Sequence, residues 1–267
     1  MTMKKLPRLA LPIFCLSVFL ICSSCTTTSK RVMVRAWSSD SYERNMPDGV
    51  VPEPEVYALF RGQFEAGSIR DDSLLGVPDF LEVVGYLKKA LLTQNYVMAK
   101  PDQPIDLLIV VHWGQTYIEE ETIYYEFEDE EGFVEVLEVE QITDKSLWEN
   151  SLILGTADRV YDWGPNFQRE EAIATTSDER YYFVLVAYDF QELLQRKKTV
   201  RWVTQFSVDT SGTNYLDALP AMTRVASQYF GKNLKDLEFD RTHLGEGEVE
   251  FGEIEVIGIE EEPEVKK

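Results

Sequence analysis

His112, Cys25 and the 47 carboxylates of this 267-residue chain are the side chains with the most chemistry to offer. His112 stands beside Trp113 in an apolar run that begins at Asp106, so an imidazole and a carboxylate share one element. Acid–base or nucleophilic catalysis would also need a nucleophile and an orienting group within hydrogen-bond reach. No G-x-S-x-G turn supplies one, and the Ser and Asp residues show no telling spacing. His112 is therefore expected to be a strand side chain satisfied by its neighbours. Glu170 and Glu171 could imitate the carboxylate pair of a glycosidase. Adjacent residues on a strand point apart, however, and with 47 acids such pairs arise by chance. Gly245 and Gly247 lack the strand and helix that frame a nucleotide loop, and no G-x-x-x-x-G-K-[ST] is present.

Between Glu119 and Glu140 lie 11 carboxylates and no basic residue. Counting a calcium loop from Phe127 puts Asp129, Glu131, Gly132 and Glu138 at positions three, five, six and twelve. Position one is then a phenylalanine with no oxygen to offer, so the match fails where it matters. The simpler reading is a solvated hairpin insert whose arms, Thr122–Phe127 and Phe133–Val139, alternate around Asp129-Glu130-Glu131-Gly132. Weak divalent-cation binding is the alternative there. A second segment gathers Tyr161, Trp163, Asn166, Phe167 and Arg169. Flat rings beside planar polar groups suit a sugar or peptide, which makes this a candidate ligand or partner loop. The other reading is a lid of rings over the core. No catalytic residue, metal site or cofactor is predicted.

The elements that must position these residues follow from periodicity. Glu55 to Phe64 is rich in aromatic and β-branched residues and reads as a strand. Asp79 caps a helix with Glu82 three residues on, as in a capping box. Phe80, Val83, Val84, Leu87 and Leu91 form its apolar face, and Asn95 is its left-handed stop. Tyr96–Ala99 is a short strand. Ile105–Tyr117 has a nearly continuous apolar start, which places it inside the sheet. Tyr181–Phe190 and Thr199–Val208 form an antiparallel hairpin with Arg196, Lys197 and Lys198 at its tip. A second helix spans Tyr215–Phe230, and Pro220 in its first turn would move its start close to Asp217. The order predicts an α+β fold, a mostly antiparallel sheet with two helices packed on one face.

A formal charge of −21 opposes nucleic-acid binding, which requires clustered Lys and Arg, and opposes adsorption to anionic lipid. Lys4, Lys5 and Arg8 precede the apolar run Leu9–Cys22, which is too short to span a bilayer as a helix. Small residues Ser23 and Ser24 then lead to Cys25. The stretch Ile21-Cys22-Ser23-Ser24-Cys25 resembles the lipobox of a bacterial lipoprotein precursor. The resemblance implies cleavage before Cys25 and acyl chains, palmitate among them, on that residue. Cys22 stands where that family usually has Leu, and ordinary signal cleavage is the rival. All three cysteines, Cys15, Cys22 and Cys25, fall in this segment, so the expected mature chain has no internal disulfide. Thr26 follows the acceptor where an Asp would resemble the inner-membrane retention signal of enteric bacteria, so the resemblance implies the outer membrane in preference to the inner. Farther on, Leu91–Tyr96 and Asp106–Val111 give the chain a loose similarity to uncharacterised bacterial envelope lipoproteins with a domain of unknown function.

These readings divide the chain into a signal peptide (1–24), a tether and extended loop (25–54), an α+β domain (55–240) and an acidic tail (241–267). The expected function is that of a lipid-anchored envelope protein acting through protein or envelope-polymer contacts, without nucleic acid. The alternatives are a peptidoglycan or glycan hydrolase using a carboxylate pair, and a small-ligand or cation-binding module.

Overall fold

In the computed structural model, residues 29–42, 52–67, 77–128, 134–162, 164 and 167–243 are described. In chain order the elements are β1 (Ser29–Ser38), β2 (Glu55–Glu65), α1 (Phe80–Leu92), β3 (Tyr96–Met98), β4 (Leu107–Gln115), β5 (Glu120–Glu128) and β6 (Val134–Ile142). They continue with α2 (Asp144–Leu154), α3 (Ala157–Val160), α4 (Phe167–Ser177), β7 (Arg180–Asp189), α5 (Phe190–Leu194), β8 (Val200–Asp209), α6 (Tyr215–Ser227) and β9 (Glu238–His243). Seven strands form one sheet in the order β3-β2-β4-β7-β8-β1-β9, and β5 pairs with β6 alone. Only the β2–β3 and β2–β4 pairings are parallel, so the large sheet is mostly antiparallel.

The apolar start of β4 does lie inside the sheet, paired with β2 on one side and β7 on the other. Alternation along each strand sends its residues to two different cores. Val32 and Val34 of β1 join Ile109, Val111, Phe183, Leu185, Trp202 and Phe206 in the larger cluster, which Leu87 and Leu91 of α1 and Leu219 and Met222 of α6 complete. Met33, between those valines, turns the other way and meets Leu154 of α2 and Tyr182 of β7 in a smaller cluster. Burial of such side chains is worth roughly 1.5–3 kcal/mol each, so the larger cluster dominates the stability of the domain.

Both main helices begin where side chains close their first turns. Asp79 accepts from the Glu82 N–H while Glu82 accepts from the Asp79 N–H, so the predicted capping box is present. Asn95 has φ 60°, the expected left-handed stop. The second helix departs from expectation. Asn214 caps it by accepting from the Asp217 N–H, so it starts at Tyr215 and Pro220 lies inside it. Tyr215 fixes that first turn in the core: its hydroxyl donates to the Tyr182 carbonyl at 2.6 Å and accepts from the Gly114 N–H at 3.1 Å.

Three further departures concern whole elements. Residues 29–38, expected as tether and extended loop, are instead a sheet strand with neighbours on both sides. Residues 241–243, expected in the tail, belong to β9. The region between the insert and β7 holds three helices, α2, α3 and α4, where no helix was expected, and Phe190–Leu194 adds a short one between β7 and β8. The remainder of the tail, the signal segment and Cys25 lie outside the described residues.

Candidate functional site

Two places combine accessible side chains with distinctive chemistry. The first is the insert, which is the predicted hairpin: β5 and β6 pair from Glu120↔Ile142 to Glu128↔Val134. Its base is tied to the start of α2. The Thr143 N–H donates to the Glu119 carbonyl at 2.8 Å, while Ser146 Oγ and Asn150 Nδ2 both donate to the Tyr117 carbonyl. Beyond that base, the ribbon packs substantially against no other described element. The register puts Ile123 opposite Val139 and Tyr125 opposite Leu137, with Phe127 next on the same face. Tyr125 and Phe127 stack at 6.4 Å between ring centroids. Even so, Tyr125 is 44%, Leu137 53% and Phe127 55% exposed. The opposite face mixes exposed Tyr124, Val134 and Val136 with Glu126, Glu138 and Glu140.

An isolated two-stranded ribbon is marginal in water. Full burial of three such large side chains would be worth several kcal/mol, at roughly 1.5–3 each. This ribbon leaves much of that unrealised.

The second place is a groove of about 270 Å³ on the sheet face that α2 partly covers, lined by His112, Glu65, Tyr182, Val184, Ile153 and Gln205 among others. His112 projects from β4 toward β2, where the ladder shifts register between Arg61 and Phe64. A Cβ on Gly62 would stand 2.7 Å from the Val111 carbonyl oxygen and 2.9 Å from the imidazole, so only glycine lets the ring lie against the backbone here. The Gln63 N–H then donates to Nδ1 at 3.1 Å. Burial lowers the His112 pKa below its usual value, with the Glu65 carboxylate working weakly against it. Tyr182 is held protonated, first by burial and then by Glu65, to which its hydroxyl donates. Gln205 closes one side by donating to the Leu152 and Ile153 carbonyls at the end of α2. The result is a neutral imidazole with Nε2–H as donor, beside a carboxylate and an apolar wall. Such a groove can bind, but among the lining residues no Ser, Thr or Cys is offered for activation. The expectation of a satisfied strand histidine therefore holds for Nδ1.

The predicted aromatic loop resolves differently. Trp163 and Asn166 lie outside the described residues. Tyr161 packs edge-on against Trp148 of α2, with centroids 5.1 Å apart. Arg169 donates from Nε to the Val160 carbonyl at 3.2 Å, which brings it next to Tyr161. Phe167 is 75% exposed, so it covers no core. Phe167 and Arg169 belong to α4 rather than to a loop. Glu171, on the same helix, accepts from Arg31 at 3.2 Å.

A larger cleft, about 650 Å³, opens at one end of the sheet around Tyr42, Glu55, Asp106, Asp189 and Arg201. These polar groups already have partners within the domain. Tyr42 bonds Glu55 and the Tyr96 hydroxyl, Asp106 accepts from the Val56 N–H, and Arg201 grips Asp189. Among the described residues no group of three His, Cys, Asp or Glu is placed to hold a metal ion, and no helix is long and apolar enough to cross a membrane.

No protein-family model and no curated protein matches the chain. Solved structures with some likeness include a PDZ domain protein from Parabacteroides distasonis, 11% identical with TM-score 0.34 over 80% of this chain and 39% of that one. Another is a PelC variant, a dodecamer, from Paraburkholderia phytofirmans, 8% identical with TM-score 0.30 over 76% of this chain and 99% of that one. The chain thus spans about two-fifths of the length of the first. Likeness at this level fixes neither the fold nor the function of this chain.

Proposed function

We propose that this chain is the precursor of an exported bacterial lipoprotein, held to the cell envelope by acyl chains on Cys25, the outer membrane in preference to the inner. Its α+β domain acts there through contacts with other proteins and carries out no reaction of its own. In this reading α1 and α6 form the two-helix layer on one sheet face, the rigid back of the domain. The observation that carries the reading is the β5–β6 ribbon, which projects Tyr125, Phe127 and Leu137 half-exposed instead of folding them onto the body. Exposed apolar groups gathered on one element mark contact surfaces.

Intact-mass analysis of the N-terminal peptide from membrane fractions tests the anchor. The expected result is a peptide beginning at Cys25 and carrying two or three acyl chains, enough for stable anchoring. An unmodified Cys25 on a protein found in the soluble fraction would refute it.

The groove beside His112 favours a second reading, a small-ligand module. Native mass spectrometry of the gently purified protein should then show a bound small molecule that His112→Ala loses, and a bare mass in both would count against this reading.

A further inference from the structure

Resting on the reading of the domain as a protein-contact module, we infer that the β5–β6 ribbon docks into a basic protein surface that bears an apolar cleft. The cleft takes Ile123, Tyr125, Phe127, Leu137 and Val139, which the register places together on one face of the ribbon. Aromatic side chains at the centre of a contact and charges at its rim are the usual anatomy of such an interface.

The charge on the ribbon decides among occupants. Eleven carboxylates and no Lys or Arg occupy positions 119–140. Glu126, Glu138 and Glu140 stand on the second face of the same two strands, so whatever covers the apolar face approaches their field at close range. A second copy of this chain would bring another eleven carboxylates against the first, and like charges brought together at an interface are costly. Anionic lipid repels the ribbon for the same reason. A neutral polymer would cover the rings and leave the carboxylates uncompensated. Only a cationic surface answers both the apolar face and the charge, and it would also be drawn in by long-range steering.

The test places a photoreactive aromatic residue at Phe127, and separately at Leu137, in the full chain expressed in its native cells. Phe167, exposed on α4, serves as the control position. The expected result is an adduct from both ribbon positions, absent from the control, to a peptide of another protein rich in Lys and Arg. Combining either label with Glu126→Gln, Glu138→Gln and Glu140→Gln should lower the adduct yield roughly tenfold, since steering of this kind changes association by 10-fold or more. A peptide of no net positive charge, a second copy of this chain, or a lipid adduct would overturn the cationic assignment. A foreign protein adduct of the wrong charge would do so while leaving the protein-contact reading intact. No ribbon adduct, or one equally strong at Phe167, would overturn both.

Discussion

The main-chain N–H of Gln63 donates to Nδ1 of His112 across 3.1 Å, which fixes the imidazole as the tautomer with its proton on Nε2. Protonation of His112 must break that bond, because a protonated Nδ1 cannot accept. Burial opposes the charge as well. Histidine-selective NMR should therefore show Nε2–H at neutral pH and a midpoint below 6.5. Because the folded-state pKa is the lower one, the unfolded chain binds more protons between the two values. The His112 contribution to stability is complete above pH 6.5 and is lost as the pH falls toward the folded value. His112→Gln should flatten the pH dependence of stability in that window, and a midpoint at or above 6.5 would contradict the geometry.

Gly62 supports that arrangement by having no side chain. Gly62→Ala places a methyl 2.7 Å from the Val111 carbonyl and 2.9 Å from the His112 ring. Overpacking of this kind costs about 1–3 kcal/mol. Chemical denaturation should show that loss, together with a His112 midpoint returning toward 6.5.

Lys30 is buried in the domain and donates to Asp209 at 2.5 Å and to the Ser211 carbonyl. Burial raises the Asp209 pKa, but the bond and charge of Lys30 and the charge of Arg180 outweigh it and hold it below the usual carboxylate range. Stability from this pair is present above pH 3.8 and is lost as pH falls through the lowered value. Lys30→Met should cost about 1.5–3 kcal/mol at neutral pH, the range for hydrogen bonds to charged groups. Its effect should shrink on acidification, as denaturation curves at several pH values would show.

The same pair explains what the sequence hid. Ser29–Ser38 carries Lys30, Arg31 and Arg35 among its apolar residues, which reads as a tether until Asp209 arrives from 179 residues away. Helix α2 was illegible for a related reason: its buried positions are Ser146, Asn150, Ser151 and Leu154, so no apolar stripe marks it. In α4 they are Ala172, Thr175 and Thr176, with Thr176 bonded to Thr156. By contrast, α1, β2, β4 and the ribbon announce themselves through local signals: a capping box, a run of aromatic and β-branched residues, a nearly continuous apolar start, and alternation. The insert was legible as a hairpin, but its lack of packing against the body was not, because that depends on what the rest of the chain places nearby. The His112 groove needed the bulge at Gly62, a pairing detail with no periodic trace.

Core and surface positions should separate cleanly in stability. Leu219→Ala, in the fully buried part of α6, should cost about 2–5 kcal/mol. Phe167→Ala, 75% exposed on α4, should fall within about 0.5 kcal/mol of the parent. Thermal melts of both would show whether the aromatic segment covers any core, and a large loss at Phe167 would reinstate the lid.

A β5–β6 ribbon that serves as a contact arm is covered in the envelope, and hydrogen exchange reads that cover along the backbone. Amide exchange would be followed in the protein on native membranes and again after purification. The expected result is slower exchange across 120–128 and 134–142 on the membranes, with α1 and α6 unchanged between the two. Equal exchange of the ribbon in both preparations would contradict it.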